Sequence, residues 1–174
     1  SDWERKGLDV AMKVLAELRD VPDLKLLVVG GDRRFKQFTS LADSLGIREQ
    51  VYWAGLTERI ERVYAAVDLM VLPTRYDPFA NVTLEALATN VPVVTSAANG
   101  AAEVLRDCEA VRIVDDPEDV EGIVTAVRAL MDHPDQERLR VVARETALEN
   151  QDAANFERVE ALYRELVRPR GEGS

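Results

Sequence analysis

Along residues 7–114, short and nearly continuous apolar runs alternate with stretches of helical periodicity, a rhythm that few folds accommodate. Leu24 to Val29, Asp68 to Leu72, Pro92 to Thr95 and Ala110 to Val114 read as strands, and Val51 to Ala54 as another ended by Gly55. Runs that are apolar rather than alternating belong to strands buried on both faces, as in a parallel sheet. Between them, Leu8, Ala11, Met12, Leu15 and Leu18 predict a helix over 7–20. A polar helix from about Arg34 stops near Gly46, a residue suited to a left-handed C-terminal cap. Glu58 to Val67, Phe79 to Ala88 and Gly100 to Arg106 supply shorter helices. Beyond the last strand the pattern turns wholly helical, over roughly 117–132, 135–149 and 152–167, before a loose tail. Strand–helix repetition of this kind predicts an α/β fold: a Rossmann-like, doubly wound parallel sheet with right-handed crossovers and C-terminal helices. Ligands of such sheets sit beyond the carboxyl ends of the strands. Here those ends are Gly30-Gly31, Gly55-Leu56-Thr57 and Thr74 to Asn81.

At 174 residues the chain has the size of one domain with a real core. Its 32 acids against 22 bases leave a formal charge of −10, which argues against a general nucleic-acid or acidic-membrane binder. No apolar run approaches the length of a bilayer span, the opening residues do not read as a signal peptide, and a cytoplasmic location is expected. Cys108 is the sole cysteine and His133 the sole histidine, so intrachain disulfides, cysteine zinc sites and paired-histidine chemistry are excluded. Cys108 reads as an ordinary thiol and His133 as an exposed loop residue.

The stretch from Pro73 to Leu87 places a strand end, a turn and a helix start in direct succession. Amides at that start, near Ala80, Asn81 and Val82, would lack intrahelical partners and, with the helix dipole, form a seat for phosphate. Glu85 lies a little over one turn further in, where its carboxylate can accept from two neighbouring hydroxyls, as on a ribose. Each residue also has a plainer reading. Asp77 followed by Pro78 is a common N-cap and first helical residue, and Glu85 could be a solvated helix residue. Arg5-Lys6 before Gly7 could meet a diphosphate or be a solvated pair. Gly30-Gly31-Asp32 permits close approach of a ligand, but a strand-ending turn explains it equally well. Trp53 reads as core, while Trp3, beside Arg5 and Lys6, is a candidate wall of the site. Arg75 and Tyr76 lie close to it without an assigned role.

The order of these segments resembles the C-terminal, donor-binding half of family-four retaining glycosyltransferases of the GT-B fold. The nearest likeness is to lipopolysaccharide-core glucosyltransferases. It is carried by Arg5-Lys6-Gly7, Leu27 to Gly30, Val51 to Gly55, Asp68 to Pro73, the acid–seven residues–Glu spacing from Asp77 to Glu85, and Asn90 to Val94. The resemblance runs from Ser1 to about Tyr163. It implies that Lys6, helped by Arg5, meets the donor diphosphate and that Asp77 contacts the transferred sugar, these three forming the catalytic set. Ala80, Asn81 and Val82 would hold phosphate, Glu85 the ribose, and the backbone around Gly55, Thr57 and Arg59 would border the base, with Phe79 and Gly31 completing the substrate-binding set. No cofactor and no metal are implied. Three departures stand out: Asp77 where Glu is commoner, Ala80 where glycine is frequent, and Asn90 in place of glycine, which a left-handed backbone tolerates.

In that family a strand precedes the position of Ser1 and runs between the strands at 24–29 and 68–72. The chain is therefore expected to lack that first strand and an N-terminal domain. Residues 1–150 form the nucleotide-sugar-binding domain of this reading. Residues 151–168 form a helix whose stripe of Phe156, Val159, Leu162, Tyr163 and Leu166 returns toward the N-terminal domain or packs on this one, and 169–174 form a flexible tail. The implied partners are a UDP-hexose and a glycan or lipid-linked acceptor such as a lipopolysaccharide core, and such an acceptor implies a peripheral location at the inner face of the membrane. The alternative readings are a nucleotide-sugar epimerase-like GT-B enzyme and a non-catalytic nucleotide-binding or interaction module.

Overall fold

The computed structural model describes residues 2–150. In chain order it contains α1 (Leu8–Glu17), β1 (Leu26–Val29), α2 (Phe35–Leu45), a single 3-10 turn, β2 (Val51–Gly55), α3 (Ile60–Tyr64), β3 (Met70–Leu72), α4 (Asn81–Ala88), β4 (Val93–Ser96), α5 (Ala102–Leu105), β5 (Val111–Val114), α6 (Val120–Met131) and α7 (Gln136–Glu149). The alternation predicted from the sequence is present throughout. The helix expected at 152–167 lies outside the described residues.

All strand pairs are parallel, but the five strands form two sheets: β1 with β2, and β3–β4–β5 with β4 in the middle. Among the described residues no hydrogen bond joins β1 to β3. Among the described residues the two sheets correspond in order to strands 3-2 and 4-5-6 of a doubly wound 3-2-1-4-5-6 sheet. Burial agrees with this. Every residue of β4 is buried, whereas Leu27 and Val29 of β1 and Met70 and Val71 of β3 are only half-buried.

One helix holds the halves together. Val10, Val14 and Leu18 join the larger core with Val93, Val94, Ile123 and Leu130. Leu8, Met12, Leu15 and Ala16 join a second core with Val28, Phe38, Ile47 and Val51. The helix expected at 7–20 is α1, and it carries two apolar stripes because it contributes to both cores. On the far side of the larger core, α7 packs Leu139, Ala143 and Ala147 in the region of α4, where the small side chains allow close approach.

Boundaries differ most near loops. The helix expected at 58–67 is the short α3, and the one expected from Phe79 begins at Asn81. Gly46 and Asn90 adopt the left-handed backbone expected of them, with φ of 68° and 65°.

Candidate functional site

The N-terminal loop is fastened to the exit of β3. Gly7 has φ 77°, and a Cβ there would collide with the Pro73 carbonyl, so the two strands of backbone touch. The Arg5 carbonyl accepts from the Arg75 amide at 2.8 Å and from the Thr74 hydroxyl at 3.0 Å. The Arg75 guanidinium donates to both oxygens of Asp9 at 2.8 Å, pairs with Glu118 at 2.6 Å, and also donates to the Glu4 carbonyl. Its charge holds Asp9 in the ionised form: burial would raise that acid, but the Arg75 hydrogen bonds and charge outweigh it and the net shift is downward. Arg75, to which the sequence assigned no role, thus ties the loop bearing Arg5 and Lys6 to α1 and to the segment after β5.

This fastening brings Arg5 and Lys6 onto Asp77. Lys6 Nζ donates to Asp77 Oδ2, and Arg5 Nη1 lies 3.3 Å from the same oxygen and 2.6 Å from the Tyr76 carbonyl. The other oxygen, Oδ1, accepts from the Phe79 amide at 3.2 Å. Asp77 is buried, and its backbone is pinned by the Ala98 carbonyl and the Gly100 amide. Burial pushes its carboxyl up, but Lys6 and then Arg5 outweigh that and hold it below the ordinary carboxylate range. Its reading as an N-cap is corrected: Ala80 is the N-cap residue of α4, and Pro78 is not helical.

The start of α4 also corrects the expected phosphate seat. The Ala80 amide donates to Asn99 Oδ1 at 3.1 Å and the Phe79 amide is taken by Asp77, so neither is open to a ligand. The Asn81 and Val82 amides have no acceptor among the described residues. Asn99, fully buried, uses its whole hydrogen-bonding capacity. Oδ1 also accepts from the Ala101 amide at 3.1 Å, and Nδ2 donates to the hydroxyls of Thr83 at 3.0 Å and Thr95 at 3.1 Å. Thr95 in turn donates to the Leu72 carbonyl, and Ser96 to the Thr74 carbonyl at 2.5 Å. One polar network therefore fixes the ends of β3 and β4 and the first turn of α4. Sequence reasoning missed Asn99, because Asn-Gly after a strand reads as a turn and nothing in its spacing marks it as buried.

Glu85 is exposed on α4, and one of its oxygens accepts from the Tyr64 hydroxyl at 3.0 Å. Gly55 ends β2 with φ 69°, and a Cβ on Gly31 or Gly55 would meet nothing within 4 Å. Gly31, Thr57 and Arg59 are exposed, and the Thr57 hydroxyl accepts from the Arg59 amide at 3.0 Å. No hydrogen bond or ion pair joins Thr57, Arg59 or Glu85 to the Lys6–Asp77 cluster among the described residues. Trp3 is not a wall of the site: it is 5% exposed and packs against Phe35, Phe38 and Trp53 in the core beside β1 and β2. His133 is half-buried beside Glu109 rather than exposed, and the buried Cys108 accepts a hydrogen bond from Thr146.

The site is thus a cluster of Arg5, Lys6 and Asp77 at the carboxyl end of β3, followed in the chain by a helix start with two amides that lack acceptors among the described residues, in an α/β domain of doubly wound order. The chain belongs to the Glycosyl transferases group 1 family, whose sequence pattern matches residues 3–147. It is 34% identical over 157 residues to the GDP-mannose-dependent alpha-(1-6)-phosphatidylinositol monomannoside mannosyltransferase of Mycolicibacterium smegmatis, covering 84% of this chain and 41% of that protein. It is 31% identical over 118 residues to the lipopolysaccharide glucosyltransferase WaaG of Escherichia coli, covering 67% of this chain and 32% of that one. A crystal structure of WaaG superimposes with a TM-score of 0.75 at 30% identity, over 87% of this chain and 41% of that chain. The fold is that of the C-terminal domain of a GT-B glycosyltransferase, similar to lipopolysaccharide-core enzymes, and the chain spans less than half the length of these relatives.

Proposed function

We propose that the chain is the donor-binding half of a retaining hexosyltransferase that takes its sugar from a nucleoside diphosphate hexose, with UDP-hexose the first candidate. The observation that carries this reading is the meeting of Lys6, Arg5 and Asp77 immediately before the two open amides of α4. Breaking the bond between the anomeric carbon and phosphate leaves negative charge on the departing nucleoside diphosphate. Fixed cations and a helix start stabilise such charge without having to reorganise. Asp77 pairs with both cations. A diphosphate arriving at Asn81 and Val82 would take over part of Lys6 and leave Asp77 free to meet hydroxyls of the sugar. Glu85, one turn along the same helix, is exposed and would accept from the ribose hydroxyls.

The reading also calls for more protein than this chain. An N-terminal domain would supply the acceptor site for a glycan or lipid-linked sugar, and a strand from that longer protein would enter between β1 and β3. Leu27 and Val29 of β1 and Met70 and Val71 of β3, the strands that would flank it, are half-buried. A cytoplasmic protein working at the inner membrane face fits such an acceptor. No helix among the described residues is long and apolar enough to cross a membrane.

The test is thermal denaturation of the chain with UDP-, GDP- and ADP-sugars, each with and without a chelator. A ligand at one hundred times its dissociation constant adds about 2.7 kcal/mol of stability. For a domain of this size that corresponds to a rise in Tm of roughly 5–10 °C. UDP-hexoses are expected to give this rise irrespective of chelator, and a larger rise with GDP-mannose would move the donor toward that of the mycobacterial relative. No rise with any nucleotide sugar at millimolar concentration would refute the reading.

A further inference from the structure

Tyr64 closes α3 and is 8% exposed, its ring packed in the larger core. Its hydroxyl emerges at the first turn of α4, 3.0 Å from Glu85 Oε2 and 3.3 Å from the Val82 carbonyl. Burial and then the neighbouring Glu85 charge push this phenol well above its ordinary value, so it stays protonated at neutral pH and donates. Glu85 Oε1 has no partner among the described residues, and the side chain is exposed. An exposed glutamate on a helix normally samples several rotamers, and fixing it costs conformational entropy. Here a rigid buried ring has removed part of that freedom in advance.

We propose that Tyr64 is a positioning residue: its hydroxyl pins one oxygen of Glu85 so that the other faces the adjacent hydroxyls of the nucleoside's ribose. This rests on the donor-binding reading above. It assigns to a core residue of α3 a share in discriminating ribose from sugars that lack the diol. A carboxylate held in place loses less freedom on binding, and its second oxygen accepts from both hydroxyls without having to leave Tyr64.

Affinities of the chain for UDP and for its 2′,3′-dideoxy counterpart measure this directly. Tyr64→Phe keeps the ring and removes only the hydroxyl. Forfeiting one hydrogen bond of ordinary net strength is expected to lower affinity for UDP roughly 3- to 10-fold. Affinity for the dideoxy nucleotide should stay as in the wild type, so the ratio between the two falls. In a Glu85→Ala background, Tyr64→Phe is expected to change that ratio no further. A purely structural role would lower both affinities together; an unchanged ratio in Tyr64→Phe, or equal losses in the two backgrounds, would overturn the proposal. Should Tyr64→Phe fail to fold, Glu85→Asp serves instead. Its shorter carboxylate cannot reach both Tyr64 and the ribose, so the ratio should fall, and a ratio kept at the wild-type value would overturn the proposal. Failure of the donor-binding reading is distinct: the wild-type chain would then bind neither nucleotide.

Discussion

Lys6→Met is expected to weaken binding of UDP to this chain by about 10- to 100-fold, the consequence of losing one charge-assisted hydrogen bond to the diphosphate. Lys6 has the geometry for so large an effect. Its ammonium is half-buried, held against Asp77, and the loop that bears it is fixed to β3 through Gly7, Thr74 and Arg75. A preplaced cation loses little freedom on binding, whereas a mobile surface lysine would contribute much less. UMP, with one phosphate fewer, should lose less affinity than UDP in the same variant. Titration calorimetry with both nucleotides reads the difference. In a full-length enzyme the same substitution is expected to lower kcat by about 10²–10³-fold, the usual cost of removing one stabiliser of leaving-group charge. Folding provides a separate readout. The Lys6–Asp77 pair holds the Asp77 carboxyl low, so its contribution to stability is present above the unfolded carboxylate pKa of about 3.9 and disappears as pH falls through the lower folded value. Equal affinities of wild type and Lys6→Met for UDP would remove Lys6 from the site.

The second large effect concerns stability. Asn99→Leu fills a similar volume but strips partners from the Ala80 and Ala101 amides and from the hydroxyls of Thr83 and Thr95. All these residues are buried, so water cannot replace the lost bonds without opening the structure. With about 1–3 kcal/mol for each unsatisfied buried group, and the Thr95 hydroxyl still donating to the Leu72 carbonyl, the loss is expected to be about 3–5 kcal/mol. Urea denaturation of the two proteins measures it. A difference under about 1 kcal/mol would mean that the network is not cooperative. Because Asn99 engages the Ala80 amide, the variant would also release a third donor at the start of α4, and its nucleotide affinity should be compared at a temperature where both proteins are folded.

Much of the architecture is legible in the residues, for identifiable reasons. Strand positions show because buried parallel strands are apolar along their length, and Leu24 to Val29 and Asp68 to Leu72 are such runs. Left-handed positions show where glycine or asparagine ends a helix, as at Gly46 and Asn90. The start of α4 was misplaced because Asp77-Pro78 carries a strong local capping signal. Tertiary contacts override it: Lys6 and Arg5 claim the carboxylate, and Asn99 claims the Ala80 amide. The convergence of Arg5, Lys6 and Asp77 follows from segment order only through resemblance to a known family, since no local pattern joins residues that far apart. Arg75, Asn99 and Tyr64 were hidden for a common reason. Each acts through partners distant in sequence, and an arginine in a loop, an asparagine in a turn and a tyrosine on a short helix have many ordinary uses. The two apolar stripes of α1 became visible only once the split sheet showed that there were two surfaces to cover.

The most direct measurement is an amide chemical-shift titration of the isotope-labelled chain with UDP. The Asn81 and Val82 amides are expected to move first and furthest, while Ala80, bonded to Asn99, moves little. Largest shifts elsewhere, for example along the open depression bordered by Arg106, Glu109 and Arg112, with Asn81 and Val82 unmoved, would contradict a diphosphate seated at the start of α4.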